Sequence, residues 1–265
     1  IAMERMTRRY FSKTVTLGLA AAAVPNLLAQ APGRTLKVGH TGITWGFQPN
    51  DAEAAIKDVA ALGYHGFESF GNVLENWETR GGLDKVLEAA KLPLRSAYCP
   101  VNLTDVSRLK AEVDKLVRWS GLIKKCGGSV AVIGPNNVPR NSFDFAASKA
   151  TIVSALNEMG QALQGSGVTP VLHQHTGTCI ETRDETYAVM EAVDTTVMKF
   201  GQDFGQLQKG GADPVKVMAD FSKIVHHVHL KDWDGGPDFL GYCPLGRGKV
   251  NVPALLDLME KSGND

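Results

Sequence analysis

The side chains best suited to chemistry sit on four short apolar segments. One of them, residues 224–232, reads Ile-Val-His-His-Val-His-Leu-Lys-Asp. Side chains alternate along a strand, so His227, His229 and Lys231 share one face while Val228 and Leu230 share the other. A single histidine on a strand is more often a packed or surface residue than a ligand. Two histidines and a lysine on one inward stripe are costly to bury unless a metal ion or an anion compensates them. Segment 168–175 repeats the device with His173 and His175. Segment 197–203 ends in Asp203, and Glu68 stands within Gly66-Phe67-Glu68-Ser69-Phe70. Imidazoles and carboxylates arriving from separate strands are the donors of a Mn, Co, Fe or Zn site. A buried polar network without an ion is the alternative reading.

Such groups meet only if the strands that carry them end in one place. From residue 36 onward, apolar strands alternate with amphipathic helices. Strands are expected at 36–45, 67–70, 94–98, 129–133, 168–175, 197–203 and 224–232. Helices are expected from 51 and at 83–91, 106–126, 143–163, 181–192, 213–221 and 253–261. That makes seven strand–helix units, whereas a closed barrel of this kind has eight. The fold class is therefore α/β, a (β/α)8 TIM barrel whose eighth strand is not in the chain. An open doubly wound sheet has a similar repeat. It would leave several of the polar strand ends far from its single crevice, while a barrel gathers them at one mouth. No GxGxxG or GxxxxGK[ST] loop follows the first strand, so a nucleotide-binding reading lacks its main signal.

Composition narrows the function further. Of 265 residues, 28 are Lys or Arg and 28 are Asp or Glu, a neutral balance that argues against nucleic acid as a partner. A hydrophobic share of 43% suits a packed core. Cys99, Cys126, Cys179 and Cys243 form no CxxC pair, so neither a zinc ribbon nor a thioredoxin-like motif is present.

The first 31 residues read as an export signal. Arg8-Arg9 stands in a twin-arginine-like Thr7-to-Lys13 stretch, an apolar run follows at 15–24, and Ala29-Gln30-Ala31 supplies a small-x-small cleavage pattern. About ten apolar residues fall short of the roughly 20 that span a bilayer as a helix. The expectation is a periplasmic or secreted protein with no stable membrane anchor after cleavage, its barrel domain occupying 32–265. Ile1 at one end and a helical pattern with no strand after it at the other read as the ends of a fragment, with the barrel domain incomplete at its C-terminus.

Over nearly all of residues 36–261 the chain resembles the sugar phosphate isomerase/epimerase group of the xylose-isomerase-like barrels. The resemblance rests first on His227-Val228-His229-Leu230-Lys231-Asp232, read with Gly211-Ala212-Asp213-Pro214. The stretch His173-Gln174-His175-Thr176-Gly177-Thr178 is more similar to inosose dehydratases than to epimerases. The resemblance implies a divalent metal ion (Mn, Co, Fe or Zn) held by His173, Asp203 and His229, with a fourth ligand, a glutamate on strand eight, beyond Asp265. Typical members carry Glu at the position of His173 and often His at that of Gln206. A two-glutamate proton shuttle is therefore not supported.

The chemistry implied by the resemblance is proton abstraction next to a carbonyl, with the metal stabilising the enediolate as a Lewis acid. Glu68, His175, His227 and Lys231 are the catalytic candidates. Lys231 has two further roles open to it, as a cation for the enolate oxygen or as an ion-pair partner of Asp232 or Glu68. Trp45 and Phe70 are candidates for stacking on a sugar ring, with core packing as the alternative, and Arg247 for a polar substrate group, with a solvated turn as the alternative. The leading expectation is an isomerase or epimerase of a sugar or sugar derivative, the substrate being a carbohydrate or cyclitol. A lyase acting on a keto-inositol or 3-keto-glycoside is the alternative, and a non-catalytic periplasmic sugar binder a further one. An apurinic endonuclease relative is disfavoured by the neutral charge and by the missing Asp-x-x-His on strand six. An oligomer is compatible with this reading.

Overall fold

The computed structural model describes residues 34–46 and 48–263. The export-signal region, 1–31, lies outside the described residues, as does any strand beyond residue 263. From Thr35 onward the chain alternates strand and helix. In order come β1 (His40–Thr41), α1 (Ala52–Ala61), β2 (Phe67–Phe70), α2 (Gly71–Glu78), α3 (Leu83–Ala89), β3 (Leu94–Val101), α4 (Leu109–Lys125), β4 (Val130–Pro135) and α5 (Phe145–Ala162). Then follow β5 (Thr169–Leu172), α6 (Arg183–Met190), β6 (Lys199–Asp203), α7 (Phe204–Lys209), α8 (Pro214–Phe221), β7 (Val225–His229), the short pair β8 (Asp232–Trp233) and β9 (Tyr242–Cys243), and α9 (Val252–Ser262).

Strands β1 to β7 pair in chain order, each parallel to the next. The sheet curls, because Glu68 on β2 touches His227 and His229 on β7 although β3 to β6 lie between them in pairing order. Inward faces form the interior, and outward faces pack under the helices. Ile56 and Val59 of α1, Leu116 and Ile123 of α4, Leu156 and Met159 of α5, Met218 of α8 and Leu255 of α9 are fully or almost fully buried in that outer layer. Each such side chain contributes about 1.5–3 kcal/mol by leaving water. Several helices start at side-chain caps: Asp144 for α5, a Thr182/Glu185 capping box for α6, Asp203 for α7 and Asp213 before Pro214 for α8. Among the described residues no helix is long and apolar enough to cross a membrane.

The elements depart from the sequence reading in ways that matter for the site. Strand β1 keeps only two residues before the chain tightens into a 3-10 turn at Gly42–Thr44. Helices α2 and α7 follow directly on β2 and β6, in addition to the helices expected at 83–91 and 213–221. Strand five ends at Leu172, so His173 and His175 lie past its last residue rather than within it. Strand seven stops at His229, because Asp232 and Trp233 instead pair antiparallel with Cys243 and Tyr242. The Asp232 carboxylate accepts backbone N–H groups from Trp233, Gly246, Gly248 and Val250, which pins both ends of this excursion. Gly248 has to be glycine there, since a Cβ would sit 2.1 Å from Asp232 Oδ1.

Candidate metal centre

Register brings the polar side chains of four strands to one end of the sheet. Asp203 is paired with His229 and Gly201 with His227, so β6 and β7 present matched inward positions. Glu68 pairs with Ser96 in the same way on β2 and β3. His173 leaves β5 one residue past its last pairing with β6. One ligand atom each from His173, Asp203 and His229 lie within 4.8 Å of one another. His173 and Asp203 are buried, and His229 is partly so.

Each of the three has an atom turned to the common point. The Nδ1 of His173 lies 3.2 Å from the carbonyl oxygen of Gly201, which only accepts, so Nδ1 carries the proton and Nε2 keeps its lone pair. Burial, then the neighbouring His229 and His175, hold this ring well below the usual histidine range. It is thus the neutral imidazole that a metal requires. Asp203 divides its carboxylate. Oδ1 caps α7 by accepting from Gln206 N at 2.8 Å, while Oδ2 faces His229 Nδ1 at 3.8 Å and Lys231 Nζ at 3.7 Å. His229 is oriented from behind, its Nε2 lying 2.9 Å from Glu68 Oε1. A carboxylate behind a histidine fixes the tautomer and directs the other nitrogen, here Nδ1, at an ion. Two neutral-capable imidazoles and one free carboxylate oxygen make a donor set that fits a divalent transition ion.

Glu68 is the hub of the second layer. It accepts from Ser96 Oγ at 2.7 Å, His227 Nε2 at 3.1 Å and His229 Nε2. Burial by itself would raise its pKa, but His229 and His227 outweigh that and hold the carboxyl well below the usual range. Burial lowers His229 in turn, and Glu68 more than offsets it, so the ring titrates above its ordinary value. Glu68, His227 and His229 also lie close enough to hold an ion. His229 turns Nε2 to Glu68 and Nδ1 toward Asp203. Hydrogen bonds to Glu68 already engage the Nε2 atoms of both His227 and His229.

The remaining sequence candidates separate. His175 has both ring nitrogens engaged, Nδ1 with Thr176 O and Nε2 with Gln206 Nε2, each at 2.7 Å. Burial lowers its pKa, so it is a neutral, fixed ring. Lys231 stands at the rim with its side chain 38% exposed, more open than His227 or Glu68. Gly205 makes room for it, since a Cβ there would lie 2.9 Å from Lys231 Cγ. Phe70 reaches the centre through Tyr98, stacking edge-on to it, and Tyr98 meets His173 likewise. Trp45 is not brought to the group, its indole N–H donating instead to Asp58 on α1. Arg247 lies on the exposed stretch after β9. Ser96, Tyr98, Lys209 and Tyr242 belong to the surroundings but escaped the sequence reading. Ser96 and Tyr98 alternate with the apolar residues of β3, and that period was the available signal.

Comparison with known proteins bears on the fold and the family. An inosose dehydratase of Bacillus thuringiensis (strain Al Hakam) is 26% identical over 216 residues, covering 75% of this chain and 71% of the relative. The crystal structure of the probable 3-DHS dehydratase AsbF of Bacillus anthracis superposes with a TM-score of 0.72 at 17% identity, covering 85% of this chain and 89% of that one. The 3-keto-D-glucoside 4-epimerase YcjR of E. coli superposes with a TM-score of 0.66 at 16% identity, over 87% and 89%. The IOLI protein with a bound zinc atom gives 0.71 at 16% identity, over 87% and 86%. These structures share the fold. Residues 56–265, most of the chain, match the family described as Xylose isomerase-like TIM barrel, and the protein belongs to it.

Proposed function

We propose that this chain is a divalent-metal-dependent enzyme that removes a proton next to the carbonyl of a sugar or cyclitol and so isomerises or epimerises it. The observation that carries the proposal is the convergence of His173, Asp203 and His229 at the mouth end of consecutive strands. A divalent ion held there by His173, Asp203 and His229 would supply Lewis acidity to the substrate carbonyl. Mn, Co, Fe and Zn all accept these donors.

The chain's own groups do the rest. Glu68 holds His229 in one tautomer and His227 beside it. Gln206 and Thr176 hold His175 as a neutral ring, so it orients the wall rather than carrying protons. His227, whose Nε2 donates to Glu68, offers Nδ1 as the base that takes the proton and later returns it, while Lys231 presents an ammonium at the rim and steadies negative charge growing on the substrate oxygen. Glu68 is held by three donors in a buried position, which makes it a positioning carboxylate.

A second reading, elimination of water from a keto-inositol, has its own support. The similarity to inosose dehydratase is one observation, and His173 at a position where family epimerases carry Glu is the other. Both readings share the first proton abstraction and differ in what leaves afterwards.

The test is elemental analysis and solvent-proton exchange on the wild type, His229→Ala and Lys231→Ala. His229→Ala should lose both the ion and exchange into a keto-sugar. Lys231→Ala should keep the ion and exchange slowly. Product analysis then separates the readings, an interconverted ketose marking the first and a dehydrated product the second. Full metal occupancy in His229→Ala, or exchange by metal-free wild type, refutes the mechanism. The leader-like residues 1–31 support a periplasmic or secreted destination for the enzyme.

A further inference from the structure

We propose that the cavity beside the metal centre is an anion-binding subsite built by Lys209 and Lys231, so that the substrate carries a carboxylate or phosphate group. The inference rests on the proposed function for the adjoining centre and adds the charge class of its substrate. The cavity measures about 490 Å³ and is walled by His175, Gln206, Lys209, Lys231, Leu240 and Tyr242, among others. Lys209 ends α7, the helix that Asp203 caps at its other end, so the helix ties the subsite to the metal-ligand carboxylate.

The charge in this wall is unbalanced. Its single carboxylate, Glu181, is already met by Arg140 Nε at 3.6 Å and by the N–H of Gly177. Lys209 forms no ion pair among the described residues. Its Nζ donates to the carbonyl of Leu240 at 3.2 Å and lies 5.0 Å from the ring centre of Tyr242. A carbonyl and an aromatic face leave ammonium protons over for a stronger acceptor. Lys231 Nζ lies 4.4 Å from the same ring and 3.7 Å from Asp203 Oδ2, the oxygen assigned to the metal. An ion on that oxygen takes up the charge that now faces Lys231. Two ammonium groups then flank one aromatic ring in one cavity without a carboxylate of their own. A neutral sugar offers only hydroxyls to such a pair, whereas an anionic oxygen makes charge-assisted hydrogen bonds with both.

The experiment is calorimetric titration of the metal-loaded protein with glucose 6-phosphate, glucuronate and glucose. At least one charged probe should bind about tenfold or more tighter than glucose, a preference that shrinks as salt is added. Preference for glucose 6-phosphate identifies a phosphate ester, and preference for glucuronate a carboxylate. Lys209→Ala should abolish most of the preference and Lys209→Arg should retain it. Metal content, to which Lys209 contributes no ligand, reports whether each variant is folded, and Lys209→Gln serves if the alanine variant is not. Glucose binding as tightly as both charged probes overturns the proposal, as does no binding of either charged probe, or an undiminished preference in a folded Lys209 variant. Failure of the proposed function would show differently, as absent metal or absent carbon-bound proton exchange in the wild type.

Discussion

Glu68→Gln is the most informative single change, because it keeps shape and removes only the charge that organises the second layer. The wild-type carboxylate accepts from Ser96, His227 and His229, all within 3.1 Å. Removing one partner of a buried charged pair costs about 3–5 kcal/mol. The amide oxygen of Gln still accepts, but its NH2 group faces a donor, so a loss of about 2–3 kcal/mol is expected. For a domain of this size that is a fall of about 5–10 °C in Tm by calorimetry. The tautomer of His229 is then no longer enforced, and metal affinity should drop about 10–100-fold, as when other groups that orient metal ligands are removed. Titration with Co or Zn, followed by competition with a chelator, measures this. Ser96→Ala, which deletes one neutral donor, should cost about 1 kcal/mol and leave affinity nearly unchanged. If Glu68→Gln melts and binds metal like the wild type, the positioning role is wrong. If it binds no metal at all, Glu68 is itself a ligand, and the group it forms with His227 and His229 holds the ion.

Three other changes probe separate parts of the structure. Each Asp232 oxygen accepts two backbone N–H groups, so Asp232→Asn leaves two of the four without an acceptor, and it should cost about 2–3 kcal/mol and speed proteolysis between residues 234 and 248. Burial opposes ionisation of Asp232, but the N–H groups outweigh it and depress its pKa, so its contribution is full above the unfolded carboxyl value and fades as pH falls through the folded one. The stability gap between the wild type and Asp232→Asn should therefore narrow on acidification from pH 6 toward pH 3, and a gap that widens contradicts this. Gly205→Ala pushes a methyl into the Lys231 stem, and turnover should fall several-fold while metal content stays at the wild-type level. Equal turnover would show that the placement of Lys231 is not critical. Replacing Arg8 and Arg9 with Lys should leave the protein in the cytoplasm with its leader uncleaved, and unchanged export on fractionation would count against the twin-arginine route.

Much of the fold, and the grouping of the candidate ligands, was legible in the sequence, because the signals involved are local. Period-two alternation puts His227 and His229 on one face whatever surrounds them, and the repeat of strand and helix specifies parallel pairing. The segments at 168–175, 197–203 and 224–232 end near His173, Asp203 and His229, so a barrel reading brings those three together before any coordinates exist. Tertiary structure alone decided what each group is free to do. Glu68 meets His227 and His229 across 159 and 161 residues of chain, a contact that depends on how far the sheet curls. His175 looked as available as His173 by spacing, yet Gln206 on α7 occupies its second nitrogen. Lys231 left the strand because Asp232 collects four N–H groups from a loop up to 18 residues further on. That Lys209 has no ion-pair partner among the described residues likewise appears only when Glu181 is seen to be taken by Arg140. Alternation and capping are set by neighbours a few residues apart, whereas protonation, tautomer and charge balance are set by whichever distant groups the folded chain presses against each side chain.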